Sequence, residues 1–392
     1  MSDSIRLGEF VALRRGTTYK SARIGESGPV LLGLGTIQRN GGFRDDQLRS
    51  YGGESPANLL LYPGDLFLSL KDVTQSADLL GAVARVPTAV DVGRLTQDTV
   101  RLDVHGQEIS SNYLYWMLRT PQYRSYCREH ATGTTNLGLS REDFLSYQIP
   151  RPTPDLTVLV ELLGALDEKI AANANLVLTA DAWVRAVFTD MTRKAEAKVV
   201  LARLLTFVKD PVEPNTLSAD TIYVGLEHIP RRLMWLNNCG AATSVTSTKS
   251  RFETGDILFG KLRPYFHKVV SAPVGGVCST DVLVVRPADK RGAGFVLAAV
   301  ASDEVIQSCT AGSEGTRMPR TSWRDLAGVE VPWPGDAAAA ALSEKVSRLR
   351  DAAEAHLREN DTLATTRDTL LPQLMSGRMR VKDAEKMAEE VL

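Results

Sequence analysis

The sequence has few of the residues that metal sites and disulfide frameworks require. Its 392 residues include four cysteines, none in a Cys-x-x-Cys pair, and five scattered histidines. Because zinc sites and disulfide frameworks depend on closely spaced ligands, we expect no metal site and four reduced thiols. No run of about 18 apolar residues occurs, and the N-terminus has no apolar stretch, so we expect neither a membrane span nor a signal peptide. The expected location is the cytoplasm.

The short motifs that mark common active sites are also missing. No Gly-x-Ser-x-Gly, His-Glu-x-x-His or Gly-x-Gly-x-x-Gly is present, nor the Asn/Asp-Pro-Pro-Tyr segment of DNA adenine methyltransferases. The segment Gly255–Leu262 matches a nucleotide-binding P-loop except at Leu262, which lacks the hydroxyl that would bind Mg²⁺. Asp155 and Glu168 would lie about 20 Å apart along a helix, too far to share one metal ion. We therefore expect a noncatalytic chain, with any chemistry supplied elsewhere.

An excess of charge of either sign is absent too. Lys and Arg total 46, Asp and Glu total 47, and the formal net charge is -1. A nonspecific nucleic-acid binder is normally basic overall, because neutralisation of phosphates dominates its affinity. Binding through local basic patches, or together with a more basic partner, remains open.

What the sequence does contain is two copies of one unit. The stretch from Tyr113 to Pro152 aligns without a gap on the stretch from Phe295 to Pro334. Seven aligned pairs are identical: Cys127/Cys309, Gly133/Gly315, Thr134/Thr316, Ser140/Ser322, Asp143/Asp325, Pro150/Pro332 and Pro152/Pro334. Residues 30–39 also match residues 222–231, and Gly64-Asp65 matches Gly255-Asp256. Two similar units suggest a target with two parts.

Each copy reads as a compact α+β domain followed by a long helix. Short apolar runs at residues 59–62, 65–70, 256–259 and 281–285 predict strands separated by turns. Apolar residues at three- and four-residue steps predict helices from Ser111 to Glu129 and from Gly294 to Cys309. We predict domains at residues 1–153 and 194–335, helices at 154–193 and 336–378, and a charged tail at 379–392.

The two long helices carry matched heptad patterns. Leu163, Leu166, Ile170 and Asn173 lie in the first stripe, and Val346, Leu349, His356, Leu370 and Leu374 lie in the second. This register predicts that the helices pair as an antiparallel coiled coil, with the polar positions Asn173 and His356 fixing the register. The alternative is that each helix merely covers its own domain.

Polar, basic and aromatic clusters near strand ends are the candidate nucleic-acid contacts. Arg suits guanine recognition, Lys suits phosphate, and aromatic rings stack on bases. Glycines in the loops of residues 132–136 and 312–320 permit close backbone approach. Ordinary solvated turns would give a similar pattern. The candidates are Gln38, Arg39, Arg44, Lys71, Thr134, Asn136, Arg231, Lys261, Arg263, Tyr265, Lys268, Arg317 and Arg320.

Three segments resemble the specificity subunit (HsdS) of type I restriction-modification systems. They are Gly255–Lys268, the exit at residues 149–152 with the helix through Ile170, and the C-terminal Leu370–Arg378. The similarity extends over almost the whole chain, from Leu7 to about Val381.

The resemblance implies two target-recognition domains that each read half of a split double-stranded DNA site, separated by the helical spacer. It implies two methyltransferase subunits docked on the helices, which bind S-adenosylmethionine and methylate adenine, and a restriction subunit where one exists; no cofactor is expected in this chain. The alternative is a specificity module of a methyltransferase-only or other phage-defence complex. An enzyme of unrecognised type would have to act without partners.

Overall fold

The chain folds into two units. The computed structural model describes residues 4–45, 48–313, 318–375, 381–389 and 391. The first unit comprises Met1–Glu168 with Leu363–Leu392, and the second comprises Lys169–Thr362. The two boundaries between units fall inside the two long helices, so the predicted five-segment division stays a prediction.

The first unit combines short strands with short helices. Its strands are β1 (Ser4–Arg6), β2 (Val11–Arg15), β3 (Val30–Leu32), β4 (Leu60–Leu61), β5 (Leu66–Ser69), β6 (Lys71–Asp72), β7 (Val83–Arg85), β8 (Gly93–Leu95), β9 (Thr99–Val104), β10 (Leu137–Gly138) and β11 (Gln148–Pro150). Its short helices are α1 (Ser111–Met117), α2 (Pro121–Glu129) and α3 (Arg141–Ser146), and α4 (Pro154–Arg193) continues into the second unit.

The second unit repeats this content. Its strands are β12 (Ala197–Val200), β13 (Leu205–Phe207), β14 (Pro211–Val212), β15 (Ile222–Val224), β16 (Gly240–Ala241), β17 (Lys249–Phe252), β18 (Ile257–Gly260), β19 (Val269–Ser271), β20 (Gly276–Cys278), β21 (Val282–Pro287) and β22 (Glu330–Trp333). Its short helices are α5 (Ala293–Val300), α6 (Asp303–Ala311) and α7 (Trp323–Ala327); α8 (Asp336–Met375) returns to the first unit, where α9 (Val381–Glu389) follows.

The sheets of the two units have matching topology. A four-stranded antiparallel sheet has the order β2-β9-β5-β7 in the first unit and β13-β21-β18-β19 in the second. The first strand of each unit pairs with the last, β1 with β11 and β12 with β22. A second sheet, β3-β8-β4 or β14-β17-β20-β15-β16, includes one parallel pair in each unit. The predicted mixed α+β architecture is confirmed.

Several matched residues of the repeat occupy equivalent positions in the part of the chain that the structure describes. Gly64 and Gly255 precede the central strands with φ of 92° and 86°, a backbone conformation that glycine adopts without steric cost. Ser140 and Ser322 cap α3 and α7 by accepting a hydrogen bond from the backbone N–H three residues later. The duplication seen in the sequence is therefore a duplication of structure.

The predicted helix of each unit is wrong in one respect, because each is broken into two. Thr120 caps α2. Pro121, which lacks a backbone N–H, occupies the first turn of α2, where the helix needs no N–H donor. Ser302 caps α6 in the same way. In a continuous helix the backbone N–H that each cap side chain accepts would instead donate to a carbonyl of the preceding turn. Because the cap takes the place of that carbonyl, a new helix starts at each cap.

The heptad stripe of α4 faces inward along its length. Leu159, Leu163 and Leu166 are buried in the first unit, and Val177 and Val184 are buried in the second. In the second unit α4 and α8 share one core with α5, through Phe188, Leu342, Val346 and Phe295 among others. Pairing of the helices as a coiled coil stays a prediction. Among the described residues, no helix is both long and apolar enough to cross a membrane.

Candidate nucleic-acid interface

A rigid loop joins the central strand β5 to the edge strand β7 of the first unit. The buried carboxylate of Asp72 accepts hydrogen bonds from the backbone and side chain of Thr74, at 2.7 and 2.8 Å, and from the N–H of Leu79, at 2.7 Å. Asn40, with φ of 62°, donates its N–H to the carbonyl of Asp78 at 2.8 Å. The loop of residues 72–80 is thus fixed against the segment that carries Gln38 and Arg39.

An arginine supports this loop from beneath. Arg124 of α2 is only 3% exposed, and its guanidinium donates to the carbonyls of Leu80, Ala77 and Asp78 at 2.6, 2.9 and 2.9 Å. Hydrogen bonds from a charged donor are stronger than neutral ones, and a buried carbonyl without a donor is costly. Arg124 therefore holds the conformation of the loop.

The predicted contacts of the first unit fall into two groups. Gln38, Arg39 and Arg44 line one cavity of about 480 Å³ beside the loop, together with Thr74 and Asp78. The second group is Lys71, Thr134 and Asn136. Lys71 opposes Gly138 in the β6–β10 pair. Thr134 and Asn136 lie exposed on the turn that the bridge between Thr132 and Gly138 closes.

The second unit has the equivalent loop between β18 and β19. Arg232, with φ of 55°, donates its N–H to the carbonyl of His267 at 2.9 Å, as Asn40 does to Asp78. His267 is 1% exposed, and its Nε2–H donates to the carbonyl of Ala301 at 2.8 Å. Arg185 of α4 donates to the same carbonyl at 2.6 Å. This support replaces the one that Arg124 gives in the first unit.

Cations and aromatic rings meet on this second loop. Arg231 lies over the ring of Phe266, with the guanidinium carbon 4.0 Å from the ring centroid. Arg263 approaches the same ring at 5.7 Å. Tyr265 packs edge-on against Phe266 and is 51% exposed. The structure therefore brings Arg231 together with Arg263 and Tyr265, which lie in a different segment of the sequence.

The remaining predicted residues of the second unit border this cluster. Leu262 pairs with Arg320, and the carbonyl of Lys261 accepts from Thr321 N–H at 3.1 Å, so Lys261 and Arg320 lie on adjacent segments. The half-buried Lys268 donates from Nζ to the carbonyl of Leu226. Burial lowers the pKa of Lys268, the nearby Arg231 acts in the same direction, and Glu227 opposes them. Arg317 lies outside the described residues.

The ion pairs that three of the exposed candidate cations form are weak. Arg39 lies 3.9 Å from Asp78, Lys71 lies 3.4 Å from Asp98, and Arg320 lies 3.2 Å from Asp281. Exposed pairs of this kind contribute about 0 to 1 kcal/mol. A phosphate oxygen could therefore replace the carboxylate at little cost. No three His, Cys, Asp or Glu side chains form a metal site in the part of the chain that the structure describes.

A polar layer joins α4 to α8 in the second unit. Asn173 is 2% exposed, and its Nδ2 donates to Glu359 at 2.7 Å and to Asn360 Oδ1 at 3.0 Å. Asn360 Nδ2 donates to the carbonyl of Ile170 at 3.1 Å. His356, the predicted polar partner position, reaches the same Glu359 at 3.4 Å. Asn173 and His356 are therefore connected through Glu359 rather than directly.

A second polar cluster joins the same helices in the first unit. Asp167 of α4 accepts from Arg367 of α8 at 2.5 Å and from Arg119 at 3.4 Å. Arg119 also donates to the hydroxyl of Tyr115 at 3.1 Å. The side chain of Arg119 is 9% exposed and that of Arg367 16%, so this is a largely buried ion cluster.

The other predicted pairing residues are mostly buried. Leu163, Leu166, Val346 and Leu370 are at most 1% exposed, and Ile170 and Leu349 are half-buried. The side chain of Leu374 lies outside the described ones.

Sequence reasoning missed the residues that position the predicted contacts. Phe266 lies between the candidate contacts Tyr265 and Lys268 but was not itself a candidate, although two arginines converge on its ring. Glu359 lies outside the heptad stripe and gave no signal. Arg124 and Asp72 also gave none, because a single buried charge has no period or motif.

All four cysteines are free, and three of them, Cys127, Cys278 and Cys309, are buried. Burial raises the pKa of Cys278 to about 12 and that of Cys309 to about 11. Such thiols are poor nucleophiles, because reactivity requires the thiolate.

Comparison with known proteins adds a local sequence relationship. No protein-family model matches the chain. The specificity subunit of the type I restriction enzyme EcoDI from Escherichia coli is 31% identical over 140 residues, which are 34% of this chain. The matched part spans 29% of the length of that relative.

One solved structure extends the likeness to the fold of the chain. The S subunit of a type I restriction-modification system from M. genitalium superposes with a TM-score of 0.58 at 13% identity, covering 95% of each chain. The HsdS subunit from Thermoanaerobacter tengcongensis aligns over 96% of this chain and 97% of its own, with a TM-score of 0.34 at 14% identity. With this fold and the local sequence match, the resemblance to the specificity subunits of type I restriction-modification systems is confirmed.

Proposed function

We propose that this chain is the noncatalytic DNA-recognition subunit of a type I restriction-modification complex. The observation that carries the proposal is the fold shared with an S subunit over 95% of both chains. Each unit reads one half of a bipartite site, through the loop between β5 and β7 or between β18 and β19 and through the adjoining turn. Methyltransferase subunits dock on the helices and methylate adenine, using S-adenosylmethionine held in their own active sites. A restriction subunit joins where the system has one.

The duplicated loop geometry supports the two-part target. In both units a residue with positive φ, Asn40 or Arg232, bonds to the loop between the last two strands of the four-stranded sheet and places an arginine beside it. The side chains on the two loops differ, so the two half-sites differ in sequence. Arg39 lies beside Asp78, whereas Arg231 lies over Phe266.

The test is a genome-wide map of methylated adenine in the host, with the gene intact and deleted. We expect deletion to remove methylation at one split motif and at no other. Restoring the gene on a plasmid should restore the same motif. An unchanged map would contradict the proposed role in methylation, and methylation or cleavage of DNA by the purified chain alone would contradict its noncatalytic character.

A further inference from the structure

Two arginines of the second unit converge on one aromatic ring. The guanidinium carbons of Arg231 and Arg263 lie 4.0 and 5.7 Å from the centroid of Phe266. A stacked guanidinium is attracted to the ring face and keeps the N–H donors at its edge. Stacking also restricts the side chain before a ligand arrives, which lowers the entropy cost of binding.

The donors of these arginines are not committed to acidic side chains. Among the described residues, neither Arg231 nor Arg263 forms an ion pair, whereas the neighbouring Arg232 pairs with Asp303 at 3.1 Å and Arg320 with Asp281 at 3.2 Å. The Nε of Arg263 is buried without a hydrogen-bond partner. A ligand that binds these two arginines therefore breaks no ion pair with a described acidic side chain.

The backbone beneath the arginines is constrained. Arg263 has φ of 51° and His267 has φ of 55°, at the two ends of the turn formed by Pro264–Phe266. The N–H of Arg263 donates to the carbonyl of Pro319 at 2.8 Å. Left-handed non-glycine residues are sparsely populated and persist where the surroundings hold them, frequently at ligand sites. The turn therefore presents its side chains on a fixed support.

We propose that Arg231 and Arg263 read guanine in the half-site contacted by the second unit, and this rests on the function proposed above. The planar guanidinium fork matches the O6 and N7 acceptors at the major-groove edge of guanine. The equivalent position in the first unit, Arg39, lies beside an aspartate, and no ring of a described residue stacks on it, so guanine reading belongs to the second unit.

The first experiment selects binding sites. The full chain, produced together with its methyltransferase subunit, is exposed to a pool of randomised duplexes, and the bound duplexes are sequenced. Exchanging residues 1–153 for those of another specificity subunit identifies which half-site belongs to the second unit. We expect guanine at a position of that half. Replacing that guanine by 7-deazaguanine, which lacks N7, should weaken binding about tenfold.

Substitutions then assign the contact to the arginines. Arg263→Lys and Arg231→Lys keep the charge and remove the fork, and Phe266→Leu keeps apolar bulk and removes the ring. Each should reduce the guanine preference at that position, by about tenfold for the arginines, and leave the other half-site unchanged. Arg291→Ala, an exposed arginine on the turn before α5, is the control and should change neither half-site.

The outcomes separate this inference from the proposed function. A split site without guanine in the second half, or a guanine preference that survives Arg231→Lys with Arg263→Lys, would overturn guanine reading and leave the recognition role standing. Uniform weakening on all duplexes would mean phosphate contact instead. Selection of no sequence at all would overturn both.

Discussion

At the scale of single residues, His267 links the second loop to the helices below it. Burial lowers the pKa of His267, Arg185 and Arg232 act in the same direction, and the bond to Ala301 and the nearby Asp303 oppose them. Its Nδ1 lies 3.4 Å from Asp303 and has no hydrogen-bond partner, which fits the neutral ring. Folding therefore favours loss of the proton.

This gives a pH-dependent stability with a defined sign. Because the folded pKa lies below the unfolded one, the contribution of His267 is complete above about pH 6.5 and is lost as the pH falls towards the folded pKa. We expect urea unfolding between pH 8 and pH 5 to show a falling free energy of unfolding, by about 1.4 kcal/mol for each unit that separates the two pKa values. Asp325 and Glu359, whose pKa values are lowered, lose their contributions at more acidic pH.

The matched variants are His267→Asn and His105→Asn. Asparagine tolerates the left-handed backbone at position 267 and does not titrate, so the first variant should flatten the profile between pH 5 and pH 7. His105 is exposed, and its replacement should leave the profile unchanged. Identical slopes in the wild type and His267→Asn would show that another group is responsible.

Arg124 is the corresponding residue of the first unit. Arg124→Ala leaves the carbonyls of Leu80, Ala77 and Asp78 without their donor, and we expect a loss of about 2 to 4 kcal/mol in the free energy of unfolding. DNA binding should weaken at the half-site of the first unit only. Arg128→Ala, on the exposed face of the same helix, is the control. Equal effects of the two variants on stability and on binding would refute a positioning role for Arg124.

At the scale of elements, the polar layer around Asn173 specifies how α4 meets α8 within the second unit. Desolvation alone would raise the pKa of Glu359, but hydrogen bonds from Asn173, His356 and Lys169 hold it below its ordinary value. A slip of either helix by one turn would bury these polar groups against apolar side chains, which is costly. The layer therefore favours one register, as a polar residue at a core position of a coiled coil does.

Removing the side chain of Asn173 from the layer should lower the free energy of unfolding by more than the small size of that side chain suggests. We expect Asn173→Ala to lower the free energy of unfolding by about 1 to 3 kcal/mol, because Glu359 and Asn360 lose their partner. Asn175→Ala makes the same chemical change at an exposed position of α4 and should cost a few tenths of a kcal/mol. Chemical denaturation of the full chain measures both. A cost at Asn173 no greater than at Asn175 would mean that the layer contributes little.

At the scale of the whole molecule, the duplication predicts modular specificity. Exchange of residues 1–153 for the equivalent segment of another specificity subunit should change one half of the methylated motif and keep the other. Each unit has its own four-stranded sheet and its own supported loop, so neither loop needs the other unit for its conformation. Mapping methylated adenine in cells that carry the exchanged gene provides the readout. A change in both halves would exclude independent reading.

Much of the architecture follows from local patterns in the sequence. The central strands, the two long helices and the repeat were predictable because period, turn residues and internal identity are properties of neighbouring residues. The break in each predicted short helix was not, since Thr120 and Ser302 act as caps only when the preceding residues leave the helical conformation. Tertiary packing selects that conformation.

The candidate interface shows the same division. Composition and motif alone indicated which segments carry cations and aromatic rings, because residue types can be read from the sequence without knowledge of the fold. Only the tertiary structure decided that Arg231 meets Phe266 across 35 residues of chain, that Lys268 bonds to a backbone carbonyl, and that Asn173 finds Glu359 and Asn360. The sequence determined the elements and their duplication, whereas partners distant along the chain depend on how the strands and helices pack.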